Sequence, residues 1–276
     1  VDIIESIKGS VIQHGPHNNR IYLMRLNTGD TQVLIEILDN MARENGYGKI
    51  FAIIPATEWN TFKTARYIKE AAIPGFFKGK TDGLFIGKYF STEREKNLQI
   101  EKQAKSELTP GEEQASGKVR EDKTMGAVEL CQQENIEEMS AIYQQVFKTY
   151  PFPILEQKYL KRMMKEGVLY YCIRSEGRMI ALAATEIDFK NRNVEMTDFA
   201  TLPKWRGMGF AGRLLRHMDQ KVCRLGLITA YSIARAASYG MNAVFRCNGY
   251  HYAGLLKNNS QICGRIESMT VWYKQL

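Results

Sequence analysis

No stretch of this chain stays apolar for the roughly 18 residues that a membrane-crossing helix needs, so no membrane partner is expected. Cysteine is sparse and scattered: Cys131, Cys172, Cys223, Cys247 and Cys263 are odd in number and form no Cys-x-x-Cys pair. That excludes a disulfide framework and a zinc knuckle, and suits reduced thiols in the cytoplasm. The opening residues VDIIESIKGS lack the basic-then-apolar order of a secretory signal, which points to the same compartment. No Lys/Arg run and no basic stripe along one helix is present, so a nucleic-acid partner is not expected despite a net charge of +8. His14-Gly-Pro-His17 has no accompanying carboxylate or cysteine cluster; it reads as a turn, and no metal is expected.

What is present is the composition of a globular protein, 44% hydrophobic and 25% charged over 276 residues, enough for two modest cores. The charge is unevenly placed. Residues 200–276 hold eleven basic and two acidic side chains, whereas residues 127–199 hold nine basic and eleven acidic. A basic field concentrated in the last quarter suits a compact polyphosphate ligand.

Hydrophobic periodicity predicts strands at 20–26, 49–55, 70–77 and 83–90, with helices at 31–45 and 57–68. Residues 91–126 are polar, charge-mixed and poor in aromatics, the composition of a solvated linker. Beyond it the pattern resumes. It runs strand, helix, a Pro-rich break at Tyr150–Ile154, helix, three strands, a glycine segment, then helix, strand, helix and two closing strands. We therefore expect a mixed α/β sheet flanked by helices. Its predicted organisation is an N-terminal α/β domain (1–90), a linker (91–126) and a second domain (127–276). A faint repeat joins them. Phe62-x-x-x-x-Tyr67 and Phe245-x-x-x-x-Tyr250 each follow a strand–helix unit and precede a closing apolar strand. The first domain thus reads as a partial copy of the second, without its glycines.

Those glycines decide the chemistry. Gly207-Met208-Gly209-Phe210-Ala211-Gly212 matches G-x-G-x-x-G literally. A Walker loop is excluded because no Lys follows the glycines. A dinucleotide fold needs the first glycine at the strand end and an acidic residue about 20 positions on. Here PKWR intervenes, and Lys221 to Leu255 contains no Asp or Glu. What remains is a strand, Pro203, and Lys204-Trp205-Arg206-Gly207-Met208-Gly209 opening a long helix, a geometry for one anion on backbone N–H groups.

This arrangement resembles the pyrophosphate loop of the GNAT acetyltransferase superfamily, Q/R-x-x-G-x-G/A, with Lys204 in the first place. Asn242, seven residues before Gly249, and the following Tyr250 resemble the family's later helix and strand. A closer resemblance, carried by RIYLMRL, GYGKIFAIIPA, EMTDFATLP, ARAASYGMNAVF and MTVWYKQL, is to the beta-lysine N-acetyltransferases. It implies a GNAT-type fold and acetyl-CoA as cosubstrate. It further implies direct transfer to the terminal amine of beta-lysine, giving a compatible solute.

By that resemblance Arg206, Gly207, Met208, Gly209, Phe210 and Ala211 seat the pyrophosphate. Backbone groups of Ala200, Thr201 and Leu202 line the pantetheine arm, and Asn242 and Phe245 belong to the same site. An amine acceptor must lose a proton before attack. Glu195 is the favoured base, with Asp198 the alternative base or a ligand for the substrate ammonium. Strand alternation puts at most one of the two in the cleft. Phe245 stands where the superfamily commonly has a tyrosine acid; Tyr239, three residues before Asn242, is one substitute, and a thiolate of low basicity leaving unassisted is the other reading. The Tyr150–Ile154 loop borders the acceptor site by the same analogy. Cys223 and Cys247 read as small buried thiols, not acyl carriers. Another small amine or polyamine as acceptor, a non-catalytic acyl-CoA-binding module, and a homodimer all remain open.

Overall fold

The computed structural model describes residues 2–96 and 126–276; most of the segment read as a linker lies outside the described residues. The strands are β1 (Ile3–Ile7), β2 (Ser10–Gly15), β3 (Arg20–Arg25), β4 (Lys49–Pro55), β5 (Ile68–Phe77), β6 (Thr81–Tyr89), β7 (Val128–Leu130), β8 (Leu169–Ser175), β9 (Arg178–Asp188), β10 (Asn193–Thr201), β11 (Thr229–Arg235), β12 (His251–Ile262) and β13 (Arg265–Gln275). The helices are α1 (Thr31–Glu44), α2 (Trp59–Thr64), α3 (Thr92–Glu95), α4 (Ile136–Val146), α5 (Gln157–Lys165), α6 (Phe210–Arg224) and α7 (Tyr239–Cys247). The β1–β2 hairpin carries no clear alternation, with β1 exposed almost throughout, and periodicity does not find it. The second predicted helix is shorter than expected because Arg66, at φ +67°, ends it and Tyr67 leads into β5.

All thirteen strands form one mixed sheet, ordered β1-β2-β3-β4-β6-β5-β12-β13-β11-β10-β9-β8-β7. Connectivity repeats across its middle. β3 and β4 are parallel and joined through α1, and the later strands order as β4-β6-β5; β10 and β11 are parallel and joined through α6, ordering as β11-β13-β12. The repeat extends to side chains. After α2, Tyr67 N–H donates to Phe62 O at 3.1 Å and the two rings meet edge-on at 5.0 Å. After α7, Tyr250 N–H donates to Phe245 O at 3.1 Å and the rings lie 5.2 Å apart. Both are the six-to-one bond of a Schellman helix end, stapled by the aromatic pair.

The two parts join where β5 meets β12, at Ala71 and Gly254. A Cβ on Gly254 would stand 2.2 Å from Glu70 O, so only glycine permits that approach. The joint is closed by a buried polar network. Lys49 Nζ donates to Glu70 Oε2 at 2.7 Å and Lys257 O at 2.8 Å, and the Lys257 N–H donates to Glu70 Oε1 at 2.9 Å. The sheet curls strongly. The far end of β5 packs Phe76 on the Tyr231 ring of β11 at 5.0 Å, and Asn193 Nδ2 donates to Phe76 O at 3.1 Å. One core therefore runs between the parts, combining Phe51, Phe76 and Phe85 with Tyr143 of α4, Leu160 of α5 and Leu182 of β9. α6 covers the opposite face of the second part and α1 that of the first.

Candidate active site

β10 and β11 pair only from Asn193–Thr229 to Glu195–Tyr231. Past that point β10 stays on β9 and β11 stays on β13, so the two strands part. The cause lies in β10 itself. Asp198 and Phe199 together oppose Ala183 across the ladder, a β-bulge with Asp198 at φ +57°, and bulges sharpen local twist and bend. Into the gap opens a cavity of about 560 Å³. Phe199 and Thr201 form one wall, Ser232 to Arg235 the other, Phe245 and Met269 the floor, and Gly207 and Gly209 the rim.

The rim is a glycine turn at a helix N-terminus. Pro203–Trp205 form a single turn, after which Gly207 (φ +79°) and Gly209 (φ +80°) take the left-handed backbone that L residues resist. Among the described residues no side chain caps α6, and an uncapped helix N-terminus offers its first N–H groups to an anion. Arg206 Nε donates to Thr201 O at 3.2 Å, which holds the guanidinium over the same mouth. Phe210 and Ala211 also line the cavity, while Met208 points away and is half exposed. Leu202 N–H is spent on Ile180 O at 3.0 Å. Hydrogen-bond direction alternates along an antiparallel ladder, so Ala200 also bonds toward β9 and the Thr201 amide is the one presented to the gap.

Three sequence expectations are corrected. Asn242 does not line the cavity: its Nδ2 donates to Ser238 O at 2.9 Å and Arg235 O at 3.0 Å. Its Oδ1 accepts from Thr270 Oγ1 at 2.6 Å and Trp272 Nε1 at 2.8 Å. With its amide saturated, Asn242 fixes α7 to β13 and acts as a positioning residue. Tyr239 is 61% exposed on the first turn of α7 and is not among the residues lining the cavity, although its neighbours Ser238 and Gly240 are. Cys223 and Cys247 are exposed, not buried. Phe245 is fully buried among Phe199, Tyr250 and Trp272 while forming cavity floor.

Glu195 and Asp198 do not take opposite faces as alternation predicts. The bulge shifts the register by one: Met196 and Phe199 belong to the α6 face, Ala200 to the inter-part core. Glu195 and Asp198 thereby share that inner side, each in the field of the other. Asp198 lines the cavity and accepts from Tyr150 Oη at 2.8 Å and Thr197 Oγ1 at 3.2 Å. Glu195 accepts from Tyr231 Oη at 3.1 Å. A third carboxylate, Glu186, lies directly across the ladder from Glu195. It is solvent-accessible, yet its carboxyl is driven well above the usual range, first by desolvation and then by Glu195 and Asp198. Among the described residues none of the three has an ion-pair partner. Like charges set opposite each other on a ladder destabilise it, so the arrangement suits a cationic guest.

Burial lifts Asp198 to about 6, against the hydrogen bonds from Tyr150 and Thr197. Desolvation lifts Glu195 to about 7, with Asp198 adding to it and the Tyr231 bond opposing. An acid raised in this way keeps its proton in the folded chain where the unfolded chain, near 4.5, has lost it. Its cost to stability is absent below about 4.5 and complete above about 7. Glu195→Gln therefore stabilises the ligand-free protein at pH 8 by about 2 kcal/mol, or several degrees in Tm, with the gain vanishing toward pH 5. Thermal melts at both pH values check this; an equal gain at both would remove the ionisation argument.

Sequence comparison decides the family. The Acetyltransferase (GNAT) family profile matches residues 133–250. The beta-lysine N(6)-acetyltransferase of Methanococcus maripaludis is 35% identical over 99% of this chain and 98% of its own. The chain belongs to the GNAT acetyltransferase family. Further relatives of this acetyltransferase are the N-acetyltransferase YodP of Bacillus subtilis, 27% identical over 99% of this chain and 100% of its own, and a beta-lysine N(6)-acetyltransferase of Methanosarcina mazei. The last is 28% identical over 87% of this chain and 95% of its own.

Two site features escape sequence reading. Glu186 carries no local signal, because only strand register brings it opposite Glu195. The first part of the chain also reaches the site. Tyr22 of β3 lies seven strands from β10 in sheet order. Even so, burial and then Glu195 hold its phenol far above the ordinary range. His17 contacts Tyr150 O at 3.0 Å, and Gln13 and Asn18 donate to Pro151 O at 3.0 and 3.1 Å, pinning the loop that carries Tyr150.

Proposed function

We propose that this acetyltransferase moves the acetyl group of acetyl-CoA to the terminal amine of a small diamino acid, with beta-lysine the favoured acceptor. The carrying observation is the cluster of Glu186, Glu195 and Asp198, without a basic partner among the described residues, beside a cavity that Asp198 lines and whose rim is a glycine turn at a helix N-terminus. The names of the two beta-lysine relatives favour the same acceptor. Arg206, Gly207, Gly209 and the α6 N-terminus would hold the diphosphate, and the Thr201 amide would donate to the acyl arm in the gap.

Asp198 is the better-placed base, since of the three carboxylates it is the one on the cavity wall. An ammonium has an ordinary pKa near about 10.4, so passing its proton to a carboxylate is uphill. Each unit by which burial raises the carboxyl removes about 1.4 kcal/mol of that cost. Asp198 then takes the proton as the amine attacks, Tyr150 steadies its carboxylate, and Glu195 and Glu186 hold the remaining positive charge. Acetylation removes one positive charge from the acceptor. A diamino acid with two ammonium groups and one carboxylate becomes net neutral, the property of a solute that accumulates without charge imbalance. The repeated connectivity supports residues 1–90 as a degenerate copy of the catalytic half, retained for the wall it supplies.

A thiol-release assay with acetyl-CoA against beta-lysine, lysine, ornithine and spermidine tests the reading. Turnover is expected to be fastest with beta-lysine. Preference for spermidine would replace the acceptor class, and no release with any amine would leave a binding module in place of an enzyme.

A further inference from the structure

Three basic side chains of the first part are buried in the joint, and they are not equivalent. Lys49 has Glu70 at 2.7 Å. Arg94 donates from Nε to Asn258 O at 2.7 Å and from Nη2 to Asn18 O at 2.8 Å. Arg20, cross-strand from Lys49 and only 3% exposed, has no carboxylate within ion-pair distance among the described residues. Its Nη1 donates to Asn259 O at 2.6 Å and Ser260 Oγ at 2.8 Å, while its buried Nε has no hydrogen-bond partner among the described residues. Asp2 acts on it only from a distance, with its oxygens engaged by His17 and Asn18. A guanidinium buried without an anion is costly. Desolvation accordingly lowers its pKa to about 10.

The direction of that side chain is informative. Arg20 and Tyr22 lie two residues apart on β3, facing the inter-part core, while Ile21 between them packs under α1. The guanidinium stands over the Tyr22 ring at 5.3 Å and the Phe51 ring at 5.8 Å. Tyr22 in turn lies in the field of Glu195 and Glu186 as well as of Arg20. From Glu195 and Glu186, past Tyr22, to Arg20 the groups therefore run from carboxylates to a guanidinium that has no carboxylate partner among the described residues. That order complements an extended molecule with a terminal ammonium, a second ammonium along its length and a carboxylate at the far end.

We propose that Arg20 binds the carboxylate of the acceptor, so that the first part of the chain selects amino acids over plain diamines. The proposal rests on the acceptor reading above and adds the group that reads the acid. Tyr22 spaces the two charged ends, and Asn259 and Ser260 of β12 orient the guanidinium.

The test compares each acceptor with the same molecule lacking its carboxylate: beta-lysine against 1,4-diaminopentane, and lysine against cadaverine. The wild-type enzyme is expected to prefer each acid through KM. Arg20→Gln is expected to raise the KM for beta-lysine about 10- to 100-fold, the scale of one charge-assisted hydrogen-bond pair. It should leave kcat/KM for 1,4-diaminopentane and the KM for acetyl-CoA within about 3-fold. Arg20→Lys should recover part of the preference, because it restores charge without the planar fork. Equal loss with both acceptors would mark Arg20 as a structural bridge to β12 and overturn the proposal, as would an unchanged KM for beta-lysine. Were Arg20→Gln not to fold, wild-type kinetics still decide. Equal use of beta-lysine and 1,4-diaminopentane would exclude any carboxylate anchor while leaving the acceptor reading standing. Thiol release with no small amine would instead overturn the acceptor reading, and the anchor with it.

Discussion

Asp198→Asn is expected to lower kcat by about 10²- to 10⁴-fold, the range for losing a positioned general base. The substitution is chosen to leave the scaffold alone. Position 198 has φ +57°, and asparagine is among the few non-glycine residues that adopt this backbone readily. Its amide oxygen still accepts the hydrogen bond that Tyr150 Oη makes to Asp198 at 2.8 Å. The bulge, the parting of β10 from β11 and the seat for acetyl-CoA should survive, so the KM for acetyl-CoA should not change. Alanine would add backbone strain of about 1–2 kcal/mol and blur the result. In the wild type, kcat/KM should rise with pH as a carboxyl lifted to about 6 loses its proton. Asp198 and Glu195 sense each other, so that limb belongs to the pair. In Asp198→Asn the limb should flatten near 6, and any remaining ionisation belongs to Glu195 and should fall below its wild-type value of about 7, because the Asp198 charge that helps raise it is gone. Full activity in this variant, with Glu195→Gln inactive, would transfer the base to Glu195.

The contrast between those two carboxylates shows what sequence alone carries. The glycine turn before α6 is legible because its requirements are local: two left-handed positions, a proline ahead and a helix behind, all within Pro203–Phe210. The repeat was legible through Phe62–Tyr67 and Phe245–Tyr250, since one helix-ending motif imposes one spacing. The bulge was not. Nothing in Glu195-Met-Thr-Asp198 announces that alternation will slip, and a slip of one residue exchanges the faces of everything after it. Asn242 was read at the right place with the wrong contact. Its saturation by Thr270 and Trp272 depends on β13, which is far along the chain. Tyr22 and Arg20 were least accessible of all. Tyr22 comes within the field of Glu195 and Glu186 only because the sheet curls, with Gly254 approaching Ala71 closely and Phe76 packing on Tyr231.

Gly209→Asp should raise the Kd for CoA by about 10²- to 10³-fold, equivalent to about 3–4 kcal/mol. Two effects combine. Gly209 is the residue immediately before α6, with φ +80° and no side chain closing the helix end. An aspartate there accepts from the first N–H groups of the helix, the same donors that would hold the diphosphate. It thus occupies the anion seat internally and repels a second anion. The same self-capping supports α6, and aspartate tolerates a left-handed backbone better than most residues, so Tm should hold near the wild-type value. Loss of binding with unchanged stability separates this outcome from misfolding. Gly209→Asn isolates the charge, since it brings equal bulk and a similar cap without the negative end. Its weakening should be smaller, and the gap between the two variants should narrow as salt screens the repulsion. Calorimetric titration of CoA into the three proteins at low and high salt gives the answer. Unchanged affinity in Gly209→Asp would move the diphosphate away from Arg206–Ala211 and leave the glycine turn without its ligand.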